Sequence, residues 1–144
     1  LRVDIESMLI DKSLKVADLP IVWNEQIKQY LDLEVPDDSQ GVLQDIHWSG
    51  GQFGTFCNYT IGNVMAAQLM ETMKKTNPEI QNDINQANYE PLLNWLTSNI
   101  HTHGRRYTRN ELLERSTGET LNPLPYIKYL KGKASQVYGV KFNY

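Results

Sequence analysis

The segment from Thr55 to Lys75 constrains this chain more than any other. It contains no proline, and wound as a helix it spreads Phe56, Cys57, Ile61, Val64, Met65, Leu69, Met70 and Met73 over most of the circumference. A helix apolar nearly all round is expected at the centre of a fold. One stripe breaks the pattern. Thr55, Asn58, Tyr59, Gly62, Asn63 and Ala66 recur at three- and four-residue spacing and form a small or polar line. Either a groove or a close helix crossing through Gly62 accounts for such a stripe.

Helical periodicity continues on both sides. Residues 2–11 put Ile5, Met8 and Leu9 on one side of a short helix. Asp18-Leu19-Pro20 reads as a cap with proline in the first turn, opening a helix with Trp23, Ile27, Tyr30 and Leu31 on one stripe. Pro36, Asp37, Asp38 and Ser39 make a loop of the stretch from Leu33 to Gly41. Asn77-Pro78 stops the central helix, and a shorter polar helix is expected over 79–86. Asn88 is expected to cap an amphipathic helix carrying Tyr89, Leu92, Leu93, Leu96 and Ile100 and ending near His103-Gly104. Thr108 and Glu111 have capping-box spacing, with Gly118 at the far end. Asn122-Pro123 starts the last helix, with Tyr126, Ile127, Tyr129 and Leu130. Nothing alternates as a strand. The expectation is an all-α chain, a single compact helical domain of about seven helices.

Charge and cysteine usage exclude several function classes. Of the 144 residues 40% are hydrophobic and 22% charged, too apolar a balance for disorder. The net charge of −3 lacks the basic excess of a nucleic-acid-binding domain, so no nucleic-acid partner is expected. The longest uninterrupted apolar run is Val64-Met65-Ala66-Ala67, far short of a membrane span. Cys57 is the single cysteine, which excludes an internal disulfide and a cysteine-based zinc site and fits a reducing compartment. The histidines are His47, His101 and His103, and no HExxH occurs. The chain begins with Leu1 and shows no signal-peptide pattern, so a piece of a longer protein is expected.

The unusual chemistry is concentrated in 41–63. Aromatics and glycines alternate there: Trp48, Gly50, Gly51, Phe53, Gly54, Phe56, Tyr59, Gly62. Gln44, Asp45, His47 and Asn63 flank them, and such groups need hydrogen-bond partners if buried. In Asp45-x-His47 the carboxylate can orient the imidazole. Two readings fit. One is a substrate-facing wall with His47 and Tyr59 as donors; the other is a packed turn in which His47 is a satisfied core histidine. His101-x-His103 is poorly spaced for a shared metal on a helix, and the helix dipole explains cations there. Arg105-Arg106 fits solvated surface or a salt bridge better than a carboxylate clamp. Cys57, with no adjacent cation, reads as an inert core thiol.

Gly41-Val42-Leu43-Gln44-Asp45-Ile46-His47-Trp48 matches the whole GxxQDxHW motif of the carboxypeptidase Taq family of metallocarboxypeptidases, and the chain is identified as a member. Asp18-Leu19-Pro20 with Trp23-Asn24 resembles the segment before that motif in the family. Phe53-Gly54-x-Phe56, Tyr59, Gly62-Asn63 and Ala66-Ala67-Gln68 resemble the segment after it. His101-x-His103-Gly104 with Tyr107, Glu111-Leu112-Leu113 and Thr117-Gly118-Glu119 are similar to the family's C-terminal end. Cys57-Asn58 departs from it, standing where a proline and a threonine are expected.

The resemblance implies a cytoplasmic, mostly helical, usually homodimeric exopeptidase that releases single residues from peptide C-termini. It implies a zinc (or cobalt) ion held by the two histidines of HExxH and a downstream glutamate, all upstream of this chain, with the HES/GQ and IRxxAD motifs. Residues 1–144 would then be the C-terminal lobe of a larger helical zincin-like metallopeptidase, with no metal ligand of its own and inactive alone. Its partners would be peptide substrates and the upstream part of the same polypeptide. By analogy with neurolysin-like and angiotensin-converting-type zinc peptidases, His47 and Tyr59 take the catalytic role of donors to the developing oxyanion. Gln44, Asp45, Trp48, Gly50 and Gly51 would line the substrate. The rival expectation is a non-catalytic helical protein-interaction module.

Overall fold

A computed structural model of the chain describes residues 1–142. Among the described residues there are seven α-helices, short 3-10 turns and no strand, which is the all-α class expected from the periodicity. Among the described residues no helix is long and apolar enough to cross a membrane. The backbone groups into two compact units, residues 1–60 and Ile61 onward.

The first unit holds α1 (Arg2–Ile10), α2 (Leu19–Leu31) and the opening of α3 (Phe56–Thr76), with 3-10 turns at Val16–Asp18 and Val42–Gln44. Pro20 sits in the first turn of α2, where no N–H is required of it. Ile5, Leu14, Trp23 and Val42 are buried together, and Leu1, Met8, Leu9, Val22, Ile27, Val35 and Trp48 pack around them. Trp23 and Ile27 thus face inward as expected, but Tyr30 and Leu31 are exposed. Tyr30 instead lies along α1 at the surface, its hydroxyl donating to Asp4 Oδ2 at 3.5 Å, and α2 stops at Leu31 with Asp32 in a left-handed conformation.

The loop returning from α2 is pinned by Asp37, whose carboxylate accepts from Ser39 Oγ at 2.6 Å and from the Gln40 N–H at 3.0 Å. Those bonds hold its carboxyl below the usual carboxylate range. The loop then closes on the core at Gly41. A Cβ there would lie 2.6 Å from Val35 Cγ1 and 3.1 Å from the Asp37 carbonyl oxygen. Because valine has little χ1 freedom, Gly41→Ala is expected to destabilise this unit by about 1–3 kcal/mol through overpacking. A urea or thermal melt reads it; an unchanged midpoint would mean that Val35 yields without cost.

The second unit holds the rest of α3 with α4 (Ile80–Asn85), α5 (Glu90–Asn99), α6 (Arg109–Thr117) and α7 (Leu124–Tyr138). Val64, Met73, Ile80 and Leu113 are its buried apolar residues. The capping box of α6 forms as its spacing predicts: Thr108 Oγ1 accepts from Glu111 N, and Glu111 Oε2 accepts from Thr108 N at 2.8 Å. Gly118, at φ 83, ends the helix. Asn88 does not cap α5. It donates to Asp83 Oδ1 at 3.0 Å, and Tyr89 takes the cap position. The α-helix also stops at Asn99, with His101–His103 in a tighter 3-10 turn before Gly104.

α3 departs from the expectation of an all-round buried helix. Phe56, Val64, Gln68 and Met73 are buried, whereas Asn58, Tyr59, Gly62, Asn63 and Ala66 are exposed. A Cβ on Gly62 would meet nothing within 4 Å, so no helix crosses there among the described residues. The elements of this chain cover one stripe of α3 and leave the small and polar stripe open. The buried stripe has a polar member. Gln68 Nε2 donates to Thr117 Oγ1 (3.0 Å) and the carbonyls of Glu119 (3.4 Å) and Thr120 (2.9 Å), and Oε1 accepts from Asn122 N (3.0 Å). The chain exposes 10,301 Å² in total. Two separate compact bodies of these sizes would expose about 9,100 Å². Leu43, Ile46, Leu124 and Tyr138 are among the large apolar side chains at the surface.

Candidate functional site

Val42 is buried in the core of the first unit and anchors the 3-10 turn that delivers Asp45. Asp45 then folds the next residues around itself. Its Oδ1 accepts from the backbone N–H groups of His47 (2.9 Å) and Trp48 (3.0 Å). This local side-chain-to-backbone pattern is what an aspartate two residues before a histidine can do without tertiary help. Its Oδ2 faces two further groups, His47 Nδ1 at 3.3 Å and Arg2 Nε at 3.0 Å. The Arg2 N–H does not point along that line, so the contact is one of charge rather than a linear hydrogen bond. The Asp45 side chain is 1% exposed and depends on these partners rather than on water.

An ionised carboxylate only accepts, so it directs the proton of the imidazole to Nδ1. Nε2 has no hydrogen-bond partner among the described residues, and the side chain keeps 27% exposure. His47 therefore offers Nε2 outward, as an acceptor when neutral and as a donor when both nitrogens carry protons.

An aromatic shell holds the turn. Trp48 meets Trp23 and Phe56 edge to face, with centroids 6.2 and 5.8 Å apart, and its Nε1 donates to buried Glu6 Oε1 at 3.4 Å. Phe56 lies 4.8 Å from the His47 ring and 6.5 Å from the Tyr59 ring, and so contacts both. Tyr59 is 65% exposed, and its hydroxyl has no hydrogen-bond partner among the described residues.

The remaining expected residues fall out unevenly. Gly50 and Gly51 close the turn, donating to the carbonyls of His47 and Trp48, and Gly51 needs glycine for its φ of 75°. Gln44 is exposed and its amide donates to the Ser39 carbonyl. Asn63 is exposed as well. His103, Arg106 and Arg115 gather on the Tyr107 ring of the second unit, the arginines 5.8 and 4.5 Å from its centroid. Arg105 and Arg106 form no ion pair with a carboxylate among the described residues. Arg2 and Glu6 are the participants that sequence reasoning missed. Their spacing reads as an ordinary surface pair on a helix, and only the fold sends them to Asp45 and Trp48.

The sequence pattern of the carboxypeptidase Taq (M32) metallopeptidase family matches residues 1–134. The chain belongs to that family. Carboxypeptidase 1 of Bacillus subtilis is 37% identical over 138 residues, covering 96% of this chain and 28% of its own length. Among solved structures, the carboxypeptidase of Deinococcus radiodurans is 41% identical with a TM-score of 0.88, over 95% of this chain and 28% of that one. Metallocarboxypeptidase 1 of Trypanosoma cruzi is 40% identical with a TM-score of 0.86, over 92% and 28%. The chain thus spans little more than a quarter of these carboxypeptidases.

A metallopeptidase needs a metal centre, and these residues do not fit one. Among the described residues no group of three or more His, Cys, Asp or Glu side chains could hold an ion. What this carboxypeptidase Taq chain does present is an outward imidazole nitrogen and a free phenol, both rings in contact with Phe56.

Proposed function

We propose that these residues form the C-terminal part of a zinc-dependent carboxypeptidase that releases single residues from peptide C-termini. The zinc, or cobalt, belongs to residues outside these 144. The chain supplies one wall of the substrate groove. His47, with both ring nitrogens protonated, and Tyr59 donate to the scissile carbonyl oxygen as it gains negative charge, and Asp45 orients His47. Trp48, Gly50 and Gly51 shape the wall, and Gln44 stiffens the loop beside it. The observation that carries this reading is the buried Asp45 holding His47 Nδ1 while Nε2 stays free. The longer enzyme acts in the cytoplasm, as a homodimer, on peptide substrates; the resemblance supports these points.

The test uses the longer enzyme, metal-loaded, on a peptide of defined sequence followed by mass spectrometry. Stepwise loss of one C-terminal residue at a time is expected. Internal cuts would overturn the exopeptidase reading, and no cleavage at all would return the chain to the reading of a helical interaction module. The isolated 144-residue chain is expected to cleave nothing and to retain no zinc after dialysis. One tightly held zinc per chain, by elemental analysis, would contradict this.

A further inference from the structure

We propose that Arg2 is a positioning residue for His47, acting through the carboxylate of Asp45; the inference rests on the role proposed for His47. The Asp45 side chain is buried to 1% exposure, so water cannot substitute for a lost partner at Oδ2. That oxygen has two neighbours, Arg2 Nε at 3.0 Å and His47 Nδ1 at 3.3 Å. Without Arg2, the carboxylate edge that orients the imidazole keeps the imidazole as its one partner, and a buried charge loses its counter-charge.

Arg2 reaches the same ring by a second route. Its guanidinium carbon lies 5.3 Å from the Phe56 ring centroid and 5.5 Å from that of Trp23. Phe56 in turn meets His47 edge to face at 4.8 Å. A planar cation between two aromatic rings is suited to arginine and less to a flexible ammonium. One turn further along α1, Glu6 accepts from Trp48 Nε1, so the helix grips the 45–48 turn at both ends.

The experiment compares Arg2→Met, Arg2→Lys, His47→Ala and the double variant Arg2→Met/His47→Ala in the longer enzyme, metal-loaded, with melting curves beside the kinetics. Arg2→Met is expected to lower kcat ~10-fold with KM within about twofold of wild type. Arg2→Lys should recover much of that loss, because an ammonium still faces Oδ2. In the His47→Ala background Arg2→Met should cost no further activity, since its effect passes through the missing ring. An equal proportional loss in both backgrounds would make Arg2 a structural residue and overturn the proposal. So would wild-type kcat in Arg2→Met when His47→Ala is impaired. Wild-type kcat in a folded His47→Ala enzyme overturns the His47 reading itself, and this proposal with it. If Arg2→Met does not fold, Arg2→Gln, which keeps a polar head but removes the charge facing Oδ2, carries the same two-background comparison.

Discussion

Replacing Tyr59 with phenylalanine in the longer enzyme is expected to lower kcat and kcat/KM together by ~10²-fold and to leave KM nearly unchanged. The substitution removes one oxygen and keeps the ring. That ring is 65% exposed and lies 6.5 Å from Phe56, so little packing is at stake and stability should move by less than about 0.5 kcal/mol. The hydroxyl has no partner to abandon among the described residues, so a kinetic loss reports on what it does for substrate. His47→Ala is expected to lose as much activity or more. It also removes the ring that packs on Phe56 at 4.8 Å, so its melting curve must accompany its kinetics. Asp45→Asn should lose less activity, because it misorients the ring without removing it. Its stability cost is larger, since an amide leaves Arg2 without its counter-charge. Metal content should be normal in all three, because none is a proposed ligand. Normal kcat in a folded, metal-loaded Tyr59→Phe enzyme would remove Tyr59 from the mechanism.

The largest stability effect is expected at Gln68. Gln68→Leu keeps the volume but removes the amide's bonds to Thr117 Oγ1, to the Glu119 and Thr120 carbonyls and to the N–H of Asn122. Residue 68 is 3% exposed, whereas Glu119 and Thr120 are exposed and the Glu119 carbonyl also accepts from Thr117 Oγ1 at 3.1 Å, so solvent and local bonds replace part of what the amide supplies. Each stranded buried group costs about 1–3 kcal/mol, and partial solvation of the turn brings the sum to about 2–4 kcal/mol. Urea unfolding measures it. A change below about 0.5 kcal/mol would show that the turn is held by its own local bonds, such as Thr117 Oγ1 to the Leu113 carbonyl, rather than by Gln68.

Helix content was legible because it is written in short-range spacing. The Thr108–Glu111 box and the Gly118 stop formed where they were expected, since caps act within one turn. The pairing of Asp45 with the His47 ring was legible from their spacing; that Oδ1 also takes the N–H groups of His47 and Trp48 only the structure showed. Cap choice was less so. Asn88 is as good a cap by type as any, but Asp83 lies within reach and takes its amide.

The sequence alone therefore determined the helices, the pairing of Asp45 with His47, and through the GxxQDxHW match the family. Tertiary structure decided which stripe of α3 is buried, that Gln68 rather than an apolar neighbour bridges to the 117–122 turn, and that α1 grips the site. Glu6 meets Trp48 from 42 residues away. No local spacing encodes such a pair, because which helix face meets which turn depends on how much apolar surface the rest of the chain brings to cover it.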